Sequence, residues 1–352
     1  MDKYYTRACN FYYGEKSKEK IKNKSALPLN NNNLISFDTI ELISRTKIKK
    51  IHVKDIGILS IKLKKRISSD LYKIRKKKIF RNLNFSNFPI LMGVINLTPD
   101  SFSDGGKYNK DKAIKHAEYL IKKGCNIIDI GGESTRPGSK RIGSNEQIER
   151  VVHIIKAISE TKPKNIQISI DTTLSAVAEA ALNAGAEIVN DVSGGNDDPE
   201  IIRLCADKHC PYIVMHMQGT PETMQNNPTY KDVVSEVLRF LRVRSEECQK
   251  AGIDKDNIII DPGIGFGKTS EHNLTLLNNL NIFVNSGYSV LLGASRKRFM
   301  GEICDVERPN ELVGATTATT VLGVLAGVEI FRVHDVKPNR QAADTIWSIV
   351  GG

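Results

Sequence analysis

Short apolar runs alternate with longer segments of helical periodicity from residue 89 almost to the end of the chain. There are eight such runs, and a turn containing Gly, Ser, Thr or Asp follows each of them. The runs end near Ile95, Ile130, Ile170, Asn190, His216, Asp261, Gly293 and Val333. Helical patterns fill the gaps at Lys112–Lys123, Asn145–Thr161, Leu174–Ala184, Pro199–His209, Tyr230–Ala251, Glu271–Leu280, Thr316–Ala326 and Gln341–Ile349. Strands that are each followed by a helix predict a (β/α)8 TIM barrel over residues 89–352.

An open, doubly wound sheet is the alternative arrangement for alternating strands and helices. Such a sheet would concentrate its ligand-binding residues near one topological switch point. In this chain polar residues mark nearly every strand end, from Asn96 after the first run to His334 after the last. Because a closed barrel gathers all its strand ends around one mouth, the barrel is the preferred prediction.

The first quarter of the chain has a different character. Residues 1–88 contain 22 Lys or Arg and 7 Asp or Glu, so the whole excess behind the net charge of +11 lies there. Residues 1–33 are rich in Lys and Asn and have few clustered apolar residues, which predicts a disordered basic tail. Within residues 34–88, the alternation of Ile56–Leu63 suits a strand, and Leu71–Ile79 suits a basic helix or an edge strand. We therefore predict a small, basic, β-rich appendage over residues 34–88.

Composition narrows the class of protein. A basic segment can bind nucleic acid, but this one lacks a binding motif and interleaved aromatic residues, so a solvated Lys-rich surface is the preferred interpretation. The six cysteines include no CxxC pair, which favours reduced thiols over zinc ligands or disulfides. The sequence has no run of about 18 apolar residues and no apolar signal segment. We therefore expect a cytoplasmic protein with no membrane partner.

The densest cluster of candidate ligand-binding residues follows the first apolar run. Residues 92–106 read MGVINLTPDSFSDGG, and they pass from an apolar strand into a loop of oxygen- and amide-bearing side chains. Polar motifs also follow the later strands, namely GGESTRPG at 131–138, DTT at 171–173, NDVSGG at 190–195, MHM at 215–217, DPGIGFGK at 261–268, GASRKR at 293–298 and RVHD at 332–335. Asp191 can be explained as a turn-forming residue, and His216 can be explained as a histidine of the core, so neither requires a catalytic role. Arg332 and His334 share one face of a strand and suit an anion such as pyrophosphate.

These motifs resemble those of the dihydropteroate synthase family over residues 90–340. The loops at 96–106 and 131–138 are the most specific, together with DPGIGFGK, Ser295-Arg-Lys and RVHD. The resemblance implies a transferase of folate biosynthesis that joins 6-hydroxymethyl-7,8-dihydropterin pyrophosphate to p-aminobenzoate. The products would be 7,8-dihydropteroate and pyrophosphate, and sulfonamides would compete with p-aminobenzoate. The resemblance does not extend to residues 1–88.

The resemblance also implies roles for individual residues around the pterin. Asp261 would accept the 2-amino and N3–H donors of the ring, and Asn190 would bind adjacent ring atoms. Lys297 would reach the pterin carbonyl and N5, while Arg332 would stack on the ring and contact phosphate. The implied catalytic residues are Asp104, Asp171, Lys297 and Arg332, and the implied apolar walls are Val192, Met215 and Phe266.

The pyrophosphate and p-aminobenzoate sites are implied in the same way. Mg2+ is the expected cofactor, and Asn96 is its expected protein ligand, since Mg2+ favours oxygen and shares phosphate oxygens. His334 would join Arg332 on the pyrophosphate. The two long loops would close over the site, with the benzoate ring between Phe102 and Pro137. Ser134, Thr135 and Arg136, with Asp104, would order around pyrophosphate and metal. Arg298 stands where some relatives carry a Ser that helps hold the benzoate carboxylate.

Two other functions compete with this one. A methyltetrahydrofolate-binding methyltransferase barrel would share the pterin-holding carboxylates, but it would not need the loops at 96–106 and 133–137. A non-catalytic, nucleic-acid-associated protein acting through its basic N-terminus is opposed by the intact ring of polar residues. The resemblance further implies a homodimer formed through helices outside the barrel. Thr316–Ala326, rich in Ala, Gly and Thr, is the candidate interface, although ordinary packing against the barrel explains the same composition.

Overall fold

The protein is described from a computed structural model over residues 5–44, 47–76, 89–97, 103–104, 107–108, 110–135 and 138–350. Its described N-terminal part contains the strands β1 Tyr5–Tyr13, β2 Leu27–Leu29, β3 Asn32–Ile43 and β4 Ile48–His52, and the helices α1 Gly14–Lys22 and α2 Ile61–Arg75. The long strand β3 pairs antiparallel with β1, β2 and β4. We call this sheet and its two helices the N-terminal layer.

The N-terminal layer differs from the disordered tail predicted for residues 1–33. Residues 5–33 contain β1, α1 and β2, and the sheet runs across the expected boundary at residue 33. The physical reason is burial of apolar side chains contributed by distant strands. Ala8 and Phe37 are wholly buried and Leu29 is nearly so, which ties the three strands into one core.

The segment after β4 also differs from the prediction. Ile56–Leu63, predicted as a strand, is instead a 3-10 turn at Val53–Ile58 followed by the start of α2. The helix prediction for Leu71–Ile79 fits the end of α2, and residues 77–79 lie outside the described residues. Three apolar side chains at helical spacing explain why α2 forms, because they bury one face of the helix: Ile67, Leu71 and Ile74.

A closed barrel of eight parallel strands follows the N-terminal layer. In barrel order its strands are β5 Ile90–Asn96, β8 Ile127–Gly131, β9 Gln167–Asp171, β10 Ile188–Asp191, β11 Tyr212–Met215, β12 Ile258–Asp261, β13 Ser289–Leu292 and β14 Ile330–Val333. The two-residue strands β6 Ser103–Asp104 and β7 Lys107–Tyr108 pair with each other in the loop after β5. The predicted TIM barrel is confirmed.

Helices cover the outside of the barrel between successive strands. In the described residues they are α3 Lys110–Lys122, α4 Ser144–Thr161, α5 Ser175–Asn183, α6 Glu200–Asp207, α7 Val233–Lys250, α8 Ser270–Leu277, α9 Leu280–Val284, α10 Arg298–Cys304, α11 Val313–Ala326 and α12 Val336–Ile349. None of the helices in this part of the chain is both long and apolar enough to cross a bilayer.

The barrel interior is filled by a separate cluster of apolar side chains. Its members come from nearly every strand: Ile90, Met92, Ile127, Ile188, Ile213, Ile259, Leu291 and Ile330. Because these side chains close the lower half of the barrel, polar groups are confined to the C-terminal ends of the strands.

The N-terminal layer packs on the opposite end of the barrel. Asn30 Nδ2 donates to Glu329 Oε1, 3.1 Å away, just before β14 begins. Asn281 Nδ2 donates to the carbonyl oxygen of Ala8 at 3.0 Å, so β1 contacts α9 at the same end. The layer therefore covers the N-terminal end of the strands and leaves the polar mouth uncovered.

Candidate active site

Strand register brings the predicted polar residues together at the barrel mouth. The last residue of β5, Asn96, lies beside Gly131 of β8, and Gly131 lies beside Asp171 of β9. Asn190 of β10 continues this row next to Asp171. Residues that are far apart in sequence thus form one continuous polar row, because parallel strands in a barrel end at the same level.

One arginine joins two buried carboxylates, Asp171 in this row and Asp129, which lies two residues before Gly131 on β8. Arg332 donates through Nε to Asp129 Oδ2 and through Nη2 to Asp171 Oδ2, both at 2.6 Å. Asn190 Nδ2 donates to the same Asp129 oxygen at 3.2 Å. Asp129, to which sequence reasoning gave no role, is therefore the residue that holds both Arg332 and Asn190 in place.

The two carboxylates leave acceptor oxygens unused. Oδ1 of Asp129 and Oδ1 of Asp171 are buried and have no hydrogen-bond partner among the described residues. Burial raises the pKa of Asp171, and the Arg332 charge opposes that rise. The two carboxylates in turn raise the pKa of Arg332. The ion-paired triad thus contains two buried acceptor oxygens without partners in the described part of the chain, an arrangement that is uncommon in folded proteins outside functional sites.

Asp261 and Lys297 form a second charged group at the mouth. Asp261 Oδ1 accepts a hydrogen bond of 2.7 Å from the Gly263 amide. Burial raises the pKa of Asp261 to about 6, while burial and the neighbouring Arg332 lower the pKa of Lys297 to about 8. The Lys297 ammonium lies 3.8 Å from the centre of the Phe266 ring, in a cation–π contact.

Glycines clear the space in front of these groups. A Cβ at Gly293 would lie 3.4 Å from Asp261 Oδ2, and a Cβ at Gly131 would lie 3.7 Å from Asn96 Oδ1. Gly265 has a φ of +82°, and a Cβ there would lie only 2.8 Å from Lys297 Cδ. A Cβ at Gly131 or Gly293 would therefore touch these polar groups at van der Waals distance, and one at Gly265 would displace Lys297.

An apolar cluster forms one wall of the mouth. It contains the three predicted residues and one that sequence reasoning missed: Val192, Met215, Phe266 and Met224. Met224 lies in an irregular loop after β11, where no periodic pattern marks a buried position. Gln225, next to it, donates to the carbonyl oxygen of Gly265 at 2.9 Å and ties this loop to the Lys297 side of the site.

The last strand and the loop after β13 position His334. Its Nδ1 lies 3.0 Å from Ser295 Oγ, and its backbone amide donates to the same oxygen at 3.2 Å. Arg296 forms two hydrogen bonds to Asp335, at 2.9 and 2.6 Å. These contacts fix the RVHD motif against the GASRKR motif. Arg332 and His334 lie on one face, with the buried Val333 between them, as the alternation predicts.

His216 and Lys268 have structural positions beside the site. Lys268 Nζ donates to the carbonyl oxygens of Gly263 and Phe266, at 2.8 and 2.9 Å, and lies 3.0 Å from His216 Nδ1. Burial lowers the pKa of Lys268 to about 7 and that of His216 to about 2. Since His216 is neutral and buried, it matches the core histidine expected from the sequence. Lys268 holds the glycine-rich loop in its left-handed turns.

The two long loops are only partly described. Ser134 Oγ lies 2.9 Å from Ser139 Oγ, and Thr135 is half-buried next to it. Phe102, Arg136 and Pro137 lie outside the described residues, and so does the side chain of Asp104. Arg298, at the start of α10, is exposed and pairs with Glu302 at 3.2 Å. No group of three or more His, Cys, Asp or Glu within the described residues has the arrangement of a metal site.

The chain matches one family of known proteins, and the three relatives described below share one name. The family of pterin binding enzymes matches residues 92–334. A dihydropteroate synthase of Synechocystis sp. is 44% identical over 261 residues, which is 73% of this chain and 90% of the relative. The Yersinia pestis dihydropteroate synthase, solved with a sulfonamide drug complex, is 37% identical with a TM-score of 0.72, over 77% of this chain and 97% of that chain. A Xanthomonas albilineans dihydropteroate synthase solved with 4-aminobenzoic acid is 39% identical with a TM-score of 0.70, over 75% of this chain and 93% of that chain.

The family match spans the closed barrel and the charged residues at its mouth, so the chain belongs to the family of pterin binding enzymes. The relatives named above are dihydropteroate synthases, so the resemblance seen in the loop motifs is confirmed. The N-terminal layer lies outside the family match, which begins at residue 92.

Proposed function

We propose that this chain condenses 6-hydroxymethyl-7,8-dihydropterin pyrophosphate with p-aminobenzoate to give 7,8-dihydropteroate and pyrophosphate. This is a transferase reaction of folate biosynthesis, and the relatives that cover most of the chain carry its name. The observation that carries the proposal is the buried pair of carboxylates, Asp129 and Asp171, joined by Arg332 at the mouth of a pterin-binding barrel.

The pterin ring is proposed to bind between Asp261, Asn190 and the apolar wall. A pterin presents its 2-amino and N3–H donors side by side, and an ionised carboxylate accepts both. The Gly263 amide occupies one acceptor position of Asp261, and a carboxylate has about four in total. The space beside Gly293 gives the ring access to the second oxygen of Asp261.

Charge stabilisation is proposed for Asp171 and Lys297. Departure of pyrophosphate leaves positive charge on the pterin methylene group, and a fixed, buried carboxylate such as Asp171 stabilises that charge. The C–O bond breaks and its electron pair leaves with pyrophosphate. The amine of p-aminobenzoate then bonds to the methylene carbon and loses one proton. Lys297 is proposed to contact the pterin carbonyl and N5.

The leaving group is proposed to bind at Arg332 and His334. Ser295 orients the His334 ring, and the two carboxylates hold the Arg332 guanidinium, so both donors are positioned before the anion arrives. Mg2+ fits this place because Asn96 supplies a half-buried amide oxygen at the strand end, beside the space that Gly131 leaves. A single protein ligand suits Mg2+, which keeps waters and shares substrate phosphates. Bound there, the ion would neutralise charge on the pyrophosphate.

We propose that the two long loops, at residues 96–106 and 131–138, form the remaining subsites. Phe102 and Pro137 would enclose the benzoate ring, and Ser134, Thr135 and Arg136 would order around pyrophosphate with Asp104. The Yersinia pestis relative was solved with a sulfonamide drug, so we propose that sulfonamides compete at the p-aminobenzoate subsite. Arg298 is exposed and pairs with Glu302, and we propose that any contact it makes with the benzoate carboxylate comes from the rim of the site.

A homodimer through α11 is proposed as well. Thr316 and Thr320 bond within the chain, since Thr316 Oγ1 accepts from the Arg296 amide at 3.1 Å and Thr320 Oγ1 donates to Asn339 at 2.7 Å. Leu322, on another face of the helix, is 41% exposed and offers an apolar contact for a second copy. Sedimentation of the purified chain tests this proposal. The cytoplasmic location stays a prediction.

The reaction is tested by measuring pyrophosphate release with both substrates and Mg2+, then omitting each component in turn. Stoichiometric release that requires p-aminobenzoate supports the proposal. Release without p-aminobenzoate would indicate simple hydrolysis. Methyl transfer from methyltetrahydrofolate, with no release, would indicate the methyltransferase alternative.

A further inference from the structure

A cavity lies between the N-terminal layer and the outside of the barrel, away from the polar mouth. Helix α2 of the layer lines one side, and α7 and the end of α9 line the other. Its volume is about 50 Å³. One ordered water needs roughly 10–15 Å³ on this scale, so the cavity has room for a group of about four or five heavy atoms.

The lining of this cavity is strongly cationic. Arg66 and Lys73 reach it from α2, and Arg242 reaches it from α7. Asp70 is the one carboxylate among the lining residues, and it already accepts a hydrogen bond of 2.7 Å from Thr6 Oγ1. Arg66 Nε lies 3.9 Å from Asp70 Oδ2, and Arg242 lies 4.0 Å from Glu246 Oε1, so Lys73 brings the excess positive charge to the place where the layer meets the barrel.

A buried amide in the same cavity supplies a second, independent indication. Asn285 is 6% exposed and lines the cavity at the end of α9. Neither its Nδ2 nor its Oδ1 has a hydrogen-bond partner among the described residues. Burying a side-chain amide without a partner is unfavourable, so such groups are normally satisfied by a ligand or water.

We propose that this cavity binds a small inorganic oxyanion of the orthophosphate type. Arg66, Lys73 and Arg242 would supply charged donors, and Asn285 Nδ2 would supply a neutral one. The enclosed volume of about 50 Å³ matches a tetrahedral anion of five heavy atoms. Because its cations come from both structural units, the bound anion would tie the N-terminal layer to the barrel.

The test uses hydrogen–deuterium exchange of the full chain in phosphate and in chloride at equal ionic strength. Phosphate is expected to slow exchange in peptides covering α2 and residues 280–288, and this local readout separates the cavity from any anion site at the barrel mouth. Arg242→Met and Lys73→Met should each raise by about tenfold the phosphate concentration that gives half of the slowing. Arg239→Met, an exposed arginine on the same helix outside the cavity, is the matched control and should change it less than about twofold.

The isosteric variant Asn285→Asp adds a negative charge to the cavity and should abolish the phosphate effect. Melting temperatures of all variants in chloride show whether each one is folded. Slowing confined to barrel-mouth peptides would overturn the proposal, as would an absence of slowing at millimolar phosphate. An equal loss in Arg239→Met would also overturn it, because the effect would then follow net charge.

Discussion

The substitution Asp129→Asn tests whether Asp129, which accepts a hydrogen bond from Arg332, positions that arginine for the reaction at the barrel mouth. The wild-type carboxylate is wholly buried and accepts from Arg332 Nε at 2.6 Å and from Asn190 Nδ2 at 3.2 Å. The substitution keeps the shape and removes the charge. The amide oxygen can take the place of Oδ2 and accept both hydrogen bonds, and the new NH2 group takes the place of Oδ1, so the loss is that of the negative charge beside Arg332.

The expected loss of activity depends on the contacts that Arg332 keeps in the variant. Removing one partner of a buried ion pair costs about 3–5 kcal/mol when the other charge is left alone. Here Asp171 still pairs with Arg332 at 2.6 Å, so the loss of the charge from one charge-assisted bond, at most about 1.5–3 kcal/mol, is the better figure. If about 2 kcal/mol of it appears in the transition state, kcat/KM falls roughly 30-fold.

Pyrophosphate-release kinetics of the variant measure its loss of catalysis, and thermal melts measure its loss of stability. Asp191→Asn is the matched control, because Asp191 is equally buried but bonds to the Ser193 and Gly195 amides and to Tyr212. The control should lose stability and keep kcat/KM near the wild-type value. A variant Asp129→Asn whose kcat/KM stays within about twofold of wild type would refute the positioning role of Asp129.

Three further predictions concern pH, the glycine-rich loop and the N-terminal layer. Binding needs Asp261 ionised and Lys297 protonated, so the pH profile of kcat/KM should fall below about pH 6 and above about pH 8, and a flat profile across this range would contradict both roles. Gly265→Ala would place a Cβ 2.8 Å from Lys297 Cδ at a φ of +82°, so calorimetry should show pterin affinity lowered by about tenfold or more; unchanged affinity would mean that Lys297 does not contact the ring. Deleting residues 1–33 removes β1, α1 and β2 and uncovers Phe37, so the melting temperature or solubility should fall while KM stays near wild type; an unchanged melt would show that the sheet does not stabilise the barrel.

The barrel was predictable because each of its strands is short, apolar and followed at once by a polar turn. Every predicted strand end lies within one residue of the observed one; for example, the first was expected at Ile95 and lies at Asn96. Most of the mouth was predictable for the same reason. Barrel closure alone places Asn96, Asp171, Asn190 and Asp261 at one end.

The N-terminal layer was not predictable from local pattern. Its strand β1 buries Thr6 and Ala8, which are small or polar, so the inward face has no hydrophobic signal. Its stability depends on pairing with β3, whose partner residues are distant in sequence, such as Thr6 with Leu42. The many lysines and asparagines lie largely on the outer surface, where they resemble a disordered composition.

Asp129 and Met224 were missed for different physical reasons. Asp129 lies inside β8, two residues before the strand end, and only the reach of Arg332 from β14 gives it a role. Met224 belongs to an irregular loop and is buried in one cluster with Phe266, which is distant in sequence. Long-range contacts decide both positions, and no local periodicity records them.

The most direct measurement is formation of 7,8-dihydropteroate from both substrates by the wild-type chain and by Asp261→Asn, with melting temperatures recorded in parallel. The wild type should form product in equal amount to pyrophosphate. Burial raises the pKa of Asp261, so folding disfavours its ionised form, and the neutral variant should melt no lower than wild type. Loss of the charged match to two N–H donors should nevertheless lower kcat/KM by roughly 30-fold or more. Product formation by the variant at the wild-type rate, or none by the wild type, would contradict the account.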